Sequence, residues 1–203
     1  MTVVVSRVTG DDLKGVLDDL ARLRIEVFRA WPYLYDGSVA YERNYLANFA
    51  ASEGAIVVVA RDGEAIVGAA TAAPMGGHAD GFAEPFEKQG YDISRLFYLG
   101  ESVLLPRYRG RGLGHVFFDH REARGGELGF SRATFCSVIR PAGDRRCPAD
   151  YRPLDPFWRK RGYEPVPGLV GSFAWRDVGE AEETEKPMQF WMKALRTAEV
   201  GHL

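Results

Sequence analysis

Apolar residues recur along this chain at two spacings, and the alternation between them outlines the fold. Val3 to Val8 form a β-rich run that reads as a first strand. Thr9 to Asp12 then supply capping residues for a helix reaching about Arg29, in which Leu13, Val16, Leu17, Leu20, Leu23 and Val27 step by threes and fours. After the loop WPYLYDG, SVAYERNYLANFAAS predicts a second helix. AIVVVARDGEAIVGAATAA predicts a hairpin, because two β-rich runs flank Asp62-Gly63, the dipeptide a type I′ turn favours. Glycine, proline and charge interrupt the pattern over residues 74–95, which read as an insertion with a short helix.

FYLGESVLL is the next strand, closed by Pro106. Leu113, Val116, Phe117 and His120 mark one face of a helix lasting to about Leu128. ATFCSVI predicts a fifth strand and PLDPFWRKR a short helix. GSFAWRDV and PMQFWMKAL close the chain as two strands around an acidic connector. Strands and helices mix without strict βαβ alternation, so the expectation is one α/β domain (α+β type) around a mixed sheet, spanning residues 1–203.

Composition narrows the function. The chain of 203 residues carries a formal net charge of −2, which excludes a polycation built for nucleic acid and makes any positive patch local. Cys136 and Cys147 are its only cysteines, a pattern expected of a reducing compartment rather than of a disulfide framework. The N-terminus lacks the features of a signal peptide, and no window is apolar enough for a membrane span, so the expected location is the cytoplasm, with neither nucleic acid nor membrane as partner.

The local patch is PRYRGRGLGHVFF, residues 106–118, where Arg107, Arg109 and Arg111 interleave with Gly110, Gly112 and Gly114 between a strand and a helix. Glycines let main-chain N–H groups converge without a Cβ in the way, and the first turn of the helix adds unpaired N–H groups and the positive end of its dipole. Such a corner binds phosphate. A P-loop would require Gly-Lys-Ser/Thr where the chain reads Leu-Gly-His, and a dinucleotide fingerprint from Gly110 would require glycine at His115. Arg-x-x-Gly-x-Gly is met by Arg109, Gly112 and Gly114. His115 and Asp119 are one helical turn apart, but two ligands do not make a metal site.

With its strand, proline and YRGRGLG helix start, and with FWRKRGYEPV near residue 160, the sequence resembles the GNAT superfamily of acyl-CoA-dependent N-acyltransferases. The resemblance covers roughly residues 3–195, with the 74–95 insertion as the main addition. It implies a central mixed, mostly antiparallel twisted sheet of about seven strands flanked by helices. It further implies acetyl-CoA as co-substrate, no metal, and direct attack of a small-molecule or peptide primary amine on the thioester. A homodimer is one assembly it allows. Coenzyme A would be held by Val103, Leu104, Leu105, Arg109, Gly110, Arg111, Gly112, Leu113, Gly114 and His115, with an N–H near Leu104 as oxyanion donor. Glu101, on the strand beside the expected thioester, is the candidate base.

For the acid, the family's usual tyrosine aligns with Trp158, whose indole donates no proton at neutral pH; Trp158 is therefore read as a pocket wall. Tyr163 is the candidate acid, with Tyr151, Tyr98 or water as alternatives, since a thiol of pKa about 8–9 needs little help. Tyr33, Tyr35 and Asp36 lie where acceptor-pocket walls are expected, and the insertion's Asp80, Glu84, Glu87 and Asp92 offer an acidic face for a polyamine, aminoglycoside or lysine-bearing peptide. A catalytically inactive acyl-CoA-binding sensor is the alternative function.

Overall fold

The computed structural model describes residues 2–77 and 82–196. Seven strands form one sheet: β1 (Val4–Thr9), β2 (Ile56–Asp62), β3 (Ala65–Pro74), β4 (Leu96–Leu104), β5 (Arg132–Val138), β6 (Glu164–Arg176) and β7 (Glu183–Ala194). Their spatial order is β1-β2-β3-β4-β5-β7-β6, antiparallel throughout except for β4 against β5. The mixed, mostly antiparallel sheet of seven strands is as expected.

Among the described residues five α-helices accompany the sheet: α1 (Leu17–Phe28), α2 (Val39–Ala50), α3 (Glu84–Lys88), α4 (Leu113–Glu127) and α5 (Asp155–Lys160). Consecutive residues Ile56 to Ala60 of β2 are all fully buried, so both faces of the sheet are covered there. α1 lies against α2, β3 and β4, while α4 lies against β2, β3 and β4.

Two local expectations change. The long first helix divides, because Gly10–Val16 is wound as 3-10 helix before α1 begins, and Thr9 makes no side-chain cap. The hairpin turn is Gly63-Glu64 rather than Asp62-Gly63: Asp62 still pairs with Ala65, and only Gly63 has positive φ, the pattern of a type II′ turn. Glycine at the first central position accounts for it.

One irregularity decides the shape of the middle of the sheet. Ala70 opposes Ser102 and Ala72 opposes Leu99, so two residues of β4, Gly100 and Glu101, face the single Thr71 of β3. Such a bulge bends its strand and increases the local twist. Gly100 permits it, since a Cβ at that position would stand 2.4 Å from Thr71 Oγ1, the atom that accepts the Glu101 N–H at 3.2 Å. Arg121 of α4 clamps the bulge from the helix side. Its guanidinium donates to the carbonyls of Thr71 (3.2 Å), Glu101 (3.3 Å) and Phe117 (3.2 Å) and to Ser102 Oγ (2.8 Å). Burial pulls this guanidinium down to about 10, which still leaves it charged at neutral pH.

Beyond the bulge β4 leaves β5. Their parallel ladder comprises only Leu96–Arg132, Phe97–Ala133 and Tyr98–Thr134, although β5 continues to Val138 along β7. The two strands therefore splay into a cleft.

Replacing Arg121 with methionine keeps most of the packing volume but leaves two buried strand carbonyls without donors. The expected loss is about 2–4 kcal/mol of folding stability, read as a lower urea midpoint at unchanged m-value. An unshifted midpoint would show that the bulge holds without the clamp.

Candidate active site

The cleft is part of a cavity of about 910 Å³. Leu99, Gly100, Glu101, Ser102 and Leu104 form one side and Phe135, Cys136, Ser137 and Val138 the other. At one end stands the start of α4. Gly110 and Gly112 have φ of 75° and 80°, and no atom lies within 4 Å of where a Cβ would be at either position. The left-handed turn brings the chain round so that Gly112 caps α4, and His115 makes the first helical bond, to the Gly112 carbonyl at 2.9 Å. The N–H groups of Leu113 and Gly114 precede that bond and belong to the unpaired first turn. These residues fit a diphosphate: positive dipole end, bare main chain, open space in front.

Arg109, Gly110, Gly112, Leu113, Gly114 and His115 all line the cavity. Arg111 does not. It folds back over Tyr108, 5.2 Å from the ring, and donates to the Arg107 carbonyl. Arg109 turns inward, its Nε donating to the Leu104 carbonyl at 3.2 Å.

Of Val103, Leu104 and Leu105, expected to hold coenzyme A, one turns its amide to the cleft. Leu105 N–H donates to the Val67 carbonyl at 3.0 Å. Bond directions alternate along an antiparallel strand, so Val103 also faces β3, and the Leu104 N–H points to the open side. Leu104 is thus the residue whose amide faces the cleft.

Glu101 lines the same cavity with 4% of its side chain exposed. Its Oε2 receives Arg24 Nη1 at 2.5 Å, while Arg24 Nε holds Oε2 of the fully buried Glu42 at 2.5 Å. Two carboxylates therefore share one guanidinium, and Oε1 of each is buried without a protein partner. Burial opposes the charge on Arg24, but Glu101 and Glu42 hold it firmly cationic.

The remaining expectations divide. Trp158 lines the cavity, packed on Phe135 and Trp191 with ring centroids 5.1 Å from each. Tyr33 lines it at the far end with Phe28, Trp31 and Tyr151, and burial pushes its phenol up. Tyr163 does not reach the cavity. It is fully buried between Phe118 and Phe135, donates to Glu122 at 3.2 Å, and is held far above its ordinary pKa by burial and that carboxylate. That removes it as acid. Tyr98 is likewise buried, hydrogen-bonded to Cys136 Sγ at 3.2 Å.

Tyr35 and Asp36 also stand outside the lining. Tyr35 bridges to Asp177 through the main chain, and Asp36 pairs with Arg29 and Arg176. His120, on the apolar face of α4, accepts from Arg7 at 3.0 Å and does not line the cavity. Asp80 falls outside the described residues.

Arg24, Glu42 and Arg121 are the site residues that pattern reading passed over. Each has a signal, a charged residue one turn from apolar positions: Leu20 and Phe28 beside Arg24, Leu46 beside Glu42, Phe117 beside Arg121.

Among the described residues no group of His, Cys, Asp and Glu could hold a metal, and no helix is long and apolar enough to cross a membrane. A family model, the acetyltransferase (GNAT) family, matches residues 18–147. No curated protein matches the chain. Solved structures do. A ribosomal-protein-alanine N-acetyltransferase from Brucella melitensis is 15% identical, with 95% of this chain and 99% of that one covered at a TM-score of 0.58. NAA60 of Arabidopsis thaliana, solved with a bisubstrate analogue, is 12% identical, covering 97% and 100% at a TM-score of 0.59. The ribosomal-protein-S18-alanine N-acetyltransferase of Escherichia coli is 12% identical, covering 100% and 99% at 0.55. At such identities the likeness is one of fold. The family match spans more than half of the sequence, and on that ground the chain belongs to the GNAT acetyltransferase family.

Proposed function

We propose that this protein is an N-acetyltransferase that uses acetyl-CoA and acetylates a primary amine by direct attack. The observation that carries the reading is the continuity of one cavity from the α4 N-terminus, past the Leu104 amide, to Glu101. Diphosphate, thioester and amine need those three chemistries in that order.

Acetyl-CoA would supply an activated carbonyl and a thiol leaving group. The bare amides at Gly110–Gly114 and the inward-turned Arg109 would hold its diphosphate. The Leu104 N–H, fixed by its strand, would donate to the carbonyl oxygen as charge develops there. Glu101 would take the proton that the ammonium must lose before nitrogen can attack. Its unpartnered Oε1 has acceptor capacity to spare, directly or through one water. With Tyr163 sealed away, Tyr33, Tyr151 or water serves the departing thiolate; Tyr33 and Tyr151 are the tyrosines in the lining.

Two substitutions test this. Gly112→Val puts a β-branched residue at a φ of 80° and its side chain into the open space before α4, so acetyl-CoA affinity should fall at least about tenfold by calorimetry. Unchanged affinity would refute the cofactor site. Glu101→Gln removes the base but keeps the shape. Its turnover should fall by about 10²–10⁴-fold, most at low pH where the amine is protonated, and recover toward the amine's own pKa. Acetyl-CoA affinity should not change. Full activity across the pH range excludes Glu101 as base, and tight acetyl-CoA binding without thiol release from any amine would favour a binding module over an enzyme.

A further inference from the structure

The end of the cavity away from α4 has its own chemistry. There the connection between α1 and α2 meets the one between β5 and α5: Trp31 and Tyr151 stand edge to face with centroids 6.1 Å apart. Phe28 and Tyr33 continue the wall, their centroids 4.5 Å apart. The Arg24 guanidinium that grips Glu101 lies 5.4 Å from the Phe28 ring, so the Glu101 carboxylate adjoins this aromatic surface.

Many of the charges around the wall are already paired. Asp36 is taken by Arg29 and Arg176 at 3.0 and 2.8 Å. Asp177 is taken by Arg140 and Arg146 at 2.7 and 2.8 Å, and Arg140 also ties down the carbonyls of Pro32 and Tyr33. Residues 139–152 carry Arg140, Arg145, Arg146 and Arg152 against Asp144 and Asp150, a formal +2. Asp150, Asp155 and Arg152 all line the cavity, and burial together with the nearby Asp155 carboxylate pushes the Tyr151 phenol up. Of the insertion's acidic residues that are described, Glu84 pairs with Lys88, Asp92 accepts from Ser94, and neither they nor Glu87 line the cavity. The acidic run that suggested a polyamine or aminoglycoside therefore contributes none of its described residues to this cavity.

We propose that the acceptor is a small primary monoamine with a flat apolar body, an arylalkylamine, selected by Trp31, Tyr33 and Tyr151. The inference rests on the acetyltransferase reading above. One ammonium meets one carboxylate with an unpartnered oxygen, and the ring behind it meets aromatic faces and edges. A polyamine offers no flat apolar body to that wall. A peptide would have to run on through the place where Trp31 and Tyr151 touch.

The test measures thiol release by the full chain at saturating acetyl-CoA with phenylethylamine, spermidine and an alanine-initiated peptide. Phenylethylamine is expected to exceed both others at least about tenfold in kcat/KM. Tyr151→Ala should raise its KM about tenfold while acetyl-CoA affinity, by calorimetry, stays unchanged and certifies the fold. Equal or better turnover of spermidine or the peptide overturns the inference and leaves the acetyltransferase reading standing, as does a Tyr151→Ala enzyme with unaltered KM. Bound acetyl-CoA with no thiol release from any amine overturns both.

Discussion

The structure depends on a buried cation holding a strand out of line. Arg121 has no carboxylate in hydrogen-bond contact; it is satisfied by main-chain carbonyls on both strands of the bulge and by one hydroxyl. A buried charge is tolerated only where every donor finds an acceptor, and here those acceptors become available because β4 is bent. Arginine and bulge therefore require each other. Without the bend, β4 would continue its ladder with β5, the Leu104 amide would be consumed in it, and there would be no space between the strands.

The same bend settles which way Glu101 faces. With the Thr71 hydroxyl holding its N–H and Arg121 its carbonyl, the side chain is directed to Arg24 and the first helix. Three main-chain and side-chain contacts thus fix one carboxylate at the cleft wall, a degree of preorganisation that an exposed glutamate on a loop would lack. Arg24 carries that order into α2 through Glu42. The carboxylate is consequently steadied by the same two helices whose connecting loop brings Trp31 and Tyr33 to the cavity.

Much of this was legible from periodicity. The strand, glycine-rich turn and helix around residues 96–127 follow from apolar spacing and from what glycine permits, and the anion-binding corner follows with them. The bulge was not legible, because the two spacings that signal strands carry no mark for one extra residue; Gly100 is only a hint. Tyr163 misled for a related reason. Proximity in sequence to Trp158 placed it near the cleft, whereas the turn at Gly162 sends its ring behind Phe118 and Phe135. Tyr35, Asp36 and Arg111 failed through pairing: each is polar and well placed in sequence, but Asp177, the pair Arg29 and Arg176, and Tyr108 with the Arg107 carbonyl claim them first. Ion pairs between distant segments, such as Asp177 with Arg140, leave no trace in a one-dimensional pattern.

The short parallel ladder has a mechanical consequence. β4 is bonded to the β1–β3 side of the sheet and β5 to the β7–β6 side, and three residue pairs at Leu96–Tyr98 are the spine between these two covers. Few bonds resist a change of angle there, while each cover is stiffened by long antiparallel ladders. The seam between the two covers is accordingly narrow in main-chain bonds, and a ligand that touches both, Leu104 on one and Ser137 on the other, would add contacts across it.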